Sequence, residues 1–122
     1  VWEELTLRRG KYAAMSLDPC PFGAVLVESP SLWVGEGRLI EMARRRESWP
    51  GRVFIGMGTR EYQDEQENER LVALTREVRG LLQKHGLGPD RLRVVIGEGQ
   101  VHSEAAWANR LPEAMEVLFG ER

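Results

Sequence analysis

Three short apolar runs, at residues 24–27, 53–57 and 92–96, constrain this chain more than any other feature. They are rich in β-branched residues and bounded by glycine, proline or charged turns, the pattern of strands buried on both faces. Helical patterns lie around and between them. The clearest runs over about 64–85, where Leu71, Leu74, Val78, Leu81 and Leu82 recur at spacings of three and four and build one apolar face. Asp64 followed by Glu67 predicts a capping box, and Gly86 with Gly88-Pro89 predicts the stop. A shorter helix is expected around Leu39, Ile40, Met42 and Ala43. The last is expected over 103–119, kinked or restarted at Pro112. Residues 3–16 are expected to be helical as well. Strands alternating with helices predict an α/β fold, a three-stranded parallel sheet with flanking helices on both faces.

At 122 residues the chain is long enough for one modest core and predicts a single domain over its whole length. A net charge of −2 gives no general attraction to nucleic acid or to anionic membranes. The basic cluster Arg44-Arg45-Arg46 is offset by acidic residues over 61–69, so it reads as a solvated helix face. One cysteine, Cys20, forbids an internal disulfide framework and fits a reducing cytoplasm; no apolar run reaches the length of a membrane span. A cytoplasmic protein is therefore expected. The chain opens on Val1 rather than methionine, which points to a truncated, processed or fragmentary product. Gly97-Glu98-Gly99 lacks the third glycine of a dinucleotide fingerprint, and no metal site is expected because a strand separates the two histidines and no cysteine or carboxylate lies at ligand spacing. No cofactor is expected.

In an open parallel sheet the functional edge lies beyond the carboxyl ends of the strands. That rule selects Ser29, Ser31 and Trp33 after the first run, Arg60 and Glu61 after the second, and His102 after the third, with Trp107 in the helix that follows. An imidazole there suits a general base, and a buried carboxylate holding one ring nitrogen would leave the other free. Glu61 and His102 are the expected pair. The plainer alternative is that His102 caps the last helix and Glu61 is a surface carboxylate. Ser103 reads as the N-cap of that helix. His85 reads as a surface residue favoured by a helix C-terminus, and Cys20 as a packed thiol on the wrong side of the sheet.

Three motifs sharpen this reading. Phe22-Gly23-Ala24-Val25-Leu26-Val27-Glu28-Ser29-Pro30-Ser31-Leu32-Trp33 resembles "FGxVLxxSPSxWW". Gly58-Thr59-Arg60-Glu61 with Asn68 resembles "GxxE…N". Gln100-Val101-His102-Ser103-Glu104-Ala105-Ala106-Trp107 with Arg110-Leu111-Pro112 resembles "GGHSWxxWRxxLP". Together, and in this order, they are similar to an esterase family of the α/β-hydrolase superfamily that includes the enterochelin esterases and esterase D-like enzymes. The resemblance runs from Tyr12 to Phe119 and implies the carboxy-terminal half of that fold. It implies His102 as general base and acid, Glu61 as the orienting carboxylate, and a small-molecule ester as substrate.

The departures matter equally. The resemblance places the nucleophile elbow, G-x-S-x-G, near Trp2 to Thr6, yet residues 1–10 hold no serine and no elbow glycines. Residues 1–11 are a divergent segment, Val34 stands where a second tryptophan is expected, and Val101 replaces a glycine before the histidine. The chain is therefore expected to be inactive alone unless another chain supplies the serine. Ser29 and Ser31 are poor substitutes, on a wide turn rather than a strained elbow. A second reading is a non-catalytic assembly module, joined through the edge of strand 24–27. That edge would be covered by a second copy, by residues 1–10 or by a complementing amino-terminal half. A third reading is a fragment of a larger hydrolase.

Overall fold

The computed structural model describes residues 22–30, 32 and 38–121, with 38 and 39 described by backbone alone. The order of elements is β1 (Ala24–Glu28), α1 (Arg38–Arg45), β2 (Arg52–Arg60), α2 (Glu65–Lys84), β3 (Leu92–Val101) and α3 (Glu104–Phe119). The strands form one parallel sheet in the order β1-β2-β3, so the expected α/β class with a three-stranded parallel sheet and flanking helices is what the described residues adopt. The expected helix over 3–16, the divergent segment 1–11, Cys20, Ser31 and Trp33 lie outside the described residues.

β2 is the central strand, and its residues from Val53 to Gly58 are all buried, because a parallel strand must be covered on both faces. Alternate residues serve the two layers. Val53 and Ile55 pack with Leu82, Leu87 and Leu92 beneath α2, and Met57 with Leu32 and Leu71. Phe54, fully buried, meets Ala114 and Leu118 of α3 on the opposite face. α1 packs against α2. The core is thus split in two by the sheet, and among the described residues α3 covers the face on which its first turn carries the site.

Both long strands outrun their apolar sequences. β2 continues to Arg60 and β3 to Val101, because main-chain pairing needs no apolar side chain. Near the ends the register breaks: Gly58 faces Gly97 and Arg60 faces Val101, so Thr59 alone opposes Glu98, Gly99 and Gln100. Gly99 takes φ +71° in this bulge, and its amide donates to Thr59 Oγ1 at 2.8 Å. The bulge re-aims the end of β3 immediately before His102.

The helix ends follow their sequence signals. Asp64 caps α2 by accepting from the Gln66 amide at 2.9 Å, one residue short of the Glu67 position that a capping box would use. At the other end Gly86, at φ +91°, donates to the Gln83 carbonyl at 3.0 Å and Leu87 donates to Leu82 at 3.1 Å. That is a complete Schellman motif, sealed by contact between Leu82 and Leu87. Ser103 caps α3 by accepting from Ala106 at 3.2 Å.

Three expectations are corrected. Pro112 does not restart α3, which is one continuous helix through it; the ring is exposed. The cluster Arg44-Arg45-Arg46 is not all solvated. Arg44 and Arg45 are exposed and pair with Glu41 and Glu77, but Arg46 is buried, donates to the Ser48 carbonyl and lies 5.5 Å over the Trp49 ring. Its position just past α1 turns it inward, where a planar cation stacks on an aromatic face. His85 sits at the C-cap of α2, but it is half-buried against Trp49, with ring centroids 5.7 Å apart. None of the described helices is long and apolar enough to cross a membrane.

Candidate active site

The carboxyl ends of all three strands converge on Glu61. Its residue is 7% exposed and its side chain is fully buried, although it follows directly on the exposed Arg60. Three groups aim at its two oxygens. The Gly58 amide donates to Oε1 at 2.7 Å and the Ser29 hydroxyl donates to the same oxygen at 2.8 Å. His102 Nδ1 lies 2.7 Å from Oε2. The structure therefore brings together the carboxylate and the imidazole selected from strand ends, across a separation of 41 positions. The surface alternative for Glu61 does not hold. His102 remains 48% exposed at its side chain, so one edge of the ring is held while the rest is open.

Two further contacts frame the imidazole. The Trp107 ring meets that of His102 nearly perpendicularly, at 83° with centroids 5.1 Å apart, a favoured edge-to-face geometry. Trp107 Nε1 donates to Ser29 Oγ at 2.9 Å. One turn into α3, Trp107 thus reaches back to the end of β1. On the far side of Glu61, Asn68 clamps the chain: its amide donates to the Tyr62 carbonyl at 2.9 Å and its Oδ1 accepts from the Tyr62 amide at 2.8 Å. Buried at 3% exposure, it fixes the backbone on which Glu61 sits.

Ser29 is not on a wide, relaxed turn. Its φ is +47°, a left-handed conformation that costs a non-glycine residue about 1–3 kcal/mol. It is 7% exposed, and its hydroxyl is bonded to Glu61 and Trp107. No hydrogen bond joins it to His102 among the described residues, so its proton goes to the carboxylate rather than to the base. Arg60 is exposed at the rim, opposite Val101, and takes no part in these hydrogen bonds. Ser31 and Trp33 cannot be placed among the described residues.

Reasoning from strand ends overlooked a second buried pair beneath the first. Arg110, 3% exposed at its side chain, donates to Glu28 Oε2 through Nη2 at 2.6 Å and through Nε at 3.0 Å. Its Nη1 donates to Gln100 Oε1. Burial pushes the Glu28 carboxyl above its ordinary value; the hydrogen bond and charge of Arg110 pull it back, and the Glu61 charge adds to the rise. The adjacency of Glu28 to Ser29 and the spacing of Arg110 one turn past Trp107 were the available signals.

Glycines make room for this second layer. A side chain at Gly56 would lie 2.6–2.8 Å from the Glu28 oxygens and Arg110 Nε, and one at Gly58 would collide with the backbone carbonyl of Gln100. Gly58→Ala is expected to lower stability by about 1–3 kcal/mol, the usual range for overpacking, read as a lower midpoint in urea. An unchanged midpoint would show that the two strand ends are not held this closely.

No protein-family model matches the chain, and no curated protein matches it. The chemistry of the site is therefore read from its own geometry. An imidazole fixed at one nitrogen by a buried carboxylate and open at the other can take and return a proton. Among the described residues, no group of three or more histidine, cysteine or carboxylate side chains is arranged to hold a metal ion.

Proposed function

We propose that this chain carries the acid–base half of a serine carboxylic-ester hydrolase and corresponds to the carboxy-terminal half of an α/β-hydrolase fold. The observation that supports it best is the buried Glu61 carboxylate, 2.7 Å from His102 Nδ1 beside an imidazole that stays open to solvent. In this reading Nε2 of His102 takes the proton of a serine hydroxyl as its oxygen bonds to the ester carbonyl carbon. It returns that proton to the departing alcohol, and water repeats the sequence to release the acid. Glu61 orients the ring and offsets the charge that it gains. The nucleophile is a serine outside the network described above, supplied by a segment or chain beyond these 122 residues.

The test is turnover of p-nitrophenyl acetate by the native protein, translated from its whole reading frame. His102→Ala is expected to abolish it, and the 122-residue chain alone is expected to match that variant. Turnover by the native protein that survives His102→Ala would overturn the reading.

The assembly reading has an observation of its own. β1 is an edge of the described sheet, and Leu26 is 39% exposed on it, the kind of open edge that invites pairing. On the esterase reading this is where the serine-bearing half would join. A monodisperse monomer whose β1 amides exchange rapidly would argue against any such partner.

A further inference from the structure

We infer that Trp107 and Ser29 form a positioning relay that decides which ring nitrogen of His102 carries the proton. An indole nitrogen can only donate. Trp107 Nε1, 2.9 Å from Ser29 Oγ, therefore delivers its hydrogen to that oxygen, and the Ser29 hydroxyl must aim its own hydrogen elsewhere. The acceptor in reach is Glu61 Oε1, at 2.8 Å. The same oxygen accepts the Gly58 amide at 2.7 Å. Two donors thus occupy the lone pairs of Oε1, which leaves that oxygen no further bond to accept. Oε2 is then left to accept from His102 Nδ1, which keeps its hydrogen there and its lone pair on Nε2.

The direction of every bond in this relay is set at its far end by a group that cannot reverse. A serine without the indole could turn its hydroxyl away and accept from solvent or from the ring. Other features serve the same end. The Trp107 ring lies against the imidazole at 83°, which limits rotation of His102. Ser29 is held at φ +47°, the backbone conformation that places its hydroxyl between the two partners. Neither residue is catalytic. Both act through Glu61, and both lie in the motifs that flank the histidine and the first strand.

The catalytic meaning of the relay rests on the acid–base reading above, whereas the tautomer itself does not. The experiment is nitrogen-15 NMR of the histidine-labelled native protein at a pH where the imidazole is neutral. The His102 signals are assigned by their loss in His102→Gln. The Nδ1–H form is expected to dominate. Ser29→Ala and Trp107→Phe should each move the tautomer ratio about fivefold toward Nε2–H, the effect of one lost hydrogen bond. Trp107→Phe keeps an aromatic ring beside His102, so loosened packing alone would not produce that shift. As a second readout, the Trp107 indole N–H should exchange faster in Ser29→Ala than in the native protein. A dominant Nε2–H form in the native protein, or an unchanged ratio in both variants, would overturn the relay. Absent ester turnover with the tautomer retained would count against the hydrolase reading alone.

Discussion

Glu61→Gln is expected to reduce ester turnover of the native protein by about 10⁴-fold while leaving the fold in place, by analogy with carboxylate-to-amide changes in serine-hydrolase triads. The size of the effect follows from which donors surround the side chain. The Gln oxygen can still accept from the Ser29 hydroxyl and the Gly58 amide, the two groups that now meet Oε1. The amide nitrogen must then face His102 Nδ1, where Oε2 stands at 2.7 Å. Two donors cannot share that bond, so the imidazole moves its hydrogen to Nε2, the nitrogen that should receive the proton of the nucleophile. Turnover and circular dichroism on the same preparation separate the outcomes. Retained turnover in a folded variant would show that Glu61 does not orient a catalytic base.

The second large effect lies in the buried layer beneath. Arg110→Met is expected to destabilise the protein by about 3–5 kcal/mol, the range found when one partner of a buried ion pair is removed. Glu28 would keep its burial and the repulsion of Glu61 while losing the hydrogen bonds and charge of Arg110. The loss should depend on pH in a definite direction. A carboxyl raised in the folded state binds its proton more tightly there than in the unfolded chain, whose ordinary value is 4.5. Stability from this group therefore falls as pH rises from that value through the raised folded one, and stays reduced above it. Removing Arg110 widens the window, so the deficit should be largest near neutral pH and shrink on acidification. Urea midpoints across that range measure it. A deficit that does not change with pH would mark lost packing rather than a stranded carboxylate. The double variant Glu28→Leu/Arg110→Met should recover most of the stability, because it leaves no buried charge unpaired.

The fold was largely legible because apolar runs and helix periodicity report burial directly. The three strands, the span of α2 and the caps at Asp64, Ser103 and Gly86 all carry local signals. Strand ends were less legible. Beyond Met57 and Ile96 pairing continues through glycines and polar residues, where side-chain pattern says nothing about main-chain bonding. Arg46 was misjudged for a related reason: its charge set a preference for solvent, and tertiary position decided the outcome.

The pairing of Glu61 with His102 could be anticipated because both follow parallel strands at the same edge. The donors around Glu61 could not. Gly58 acts through its amide, which no residue type announces, and Ser29 acts from a left-handed backbone that its sequence does not signal. Glu28 and Arg110 meet across 82 positions, a contact that only the stacking of α3 on β1 and β2 creates. Strand ends located the Glu61–His102 pair, and the donors around it came from long-range contacts.

The central claim is that His102 serves a serine that lies outside this network. Treating the native protein with diisopropyl fluorophosphate and mapping the adduct by peptide mass spectrometry tests it most directly. One adduct is expected, on a serine beyond these 122 residues, and its loss in His102→Ala. An adduct on Ser29, or one whose formation is indifferent to His102, would contradict it.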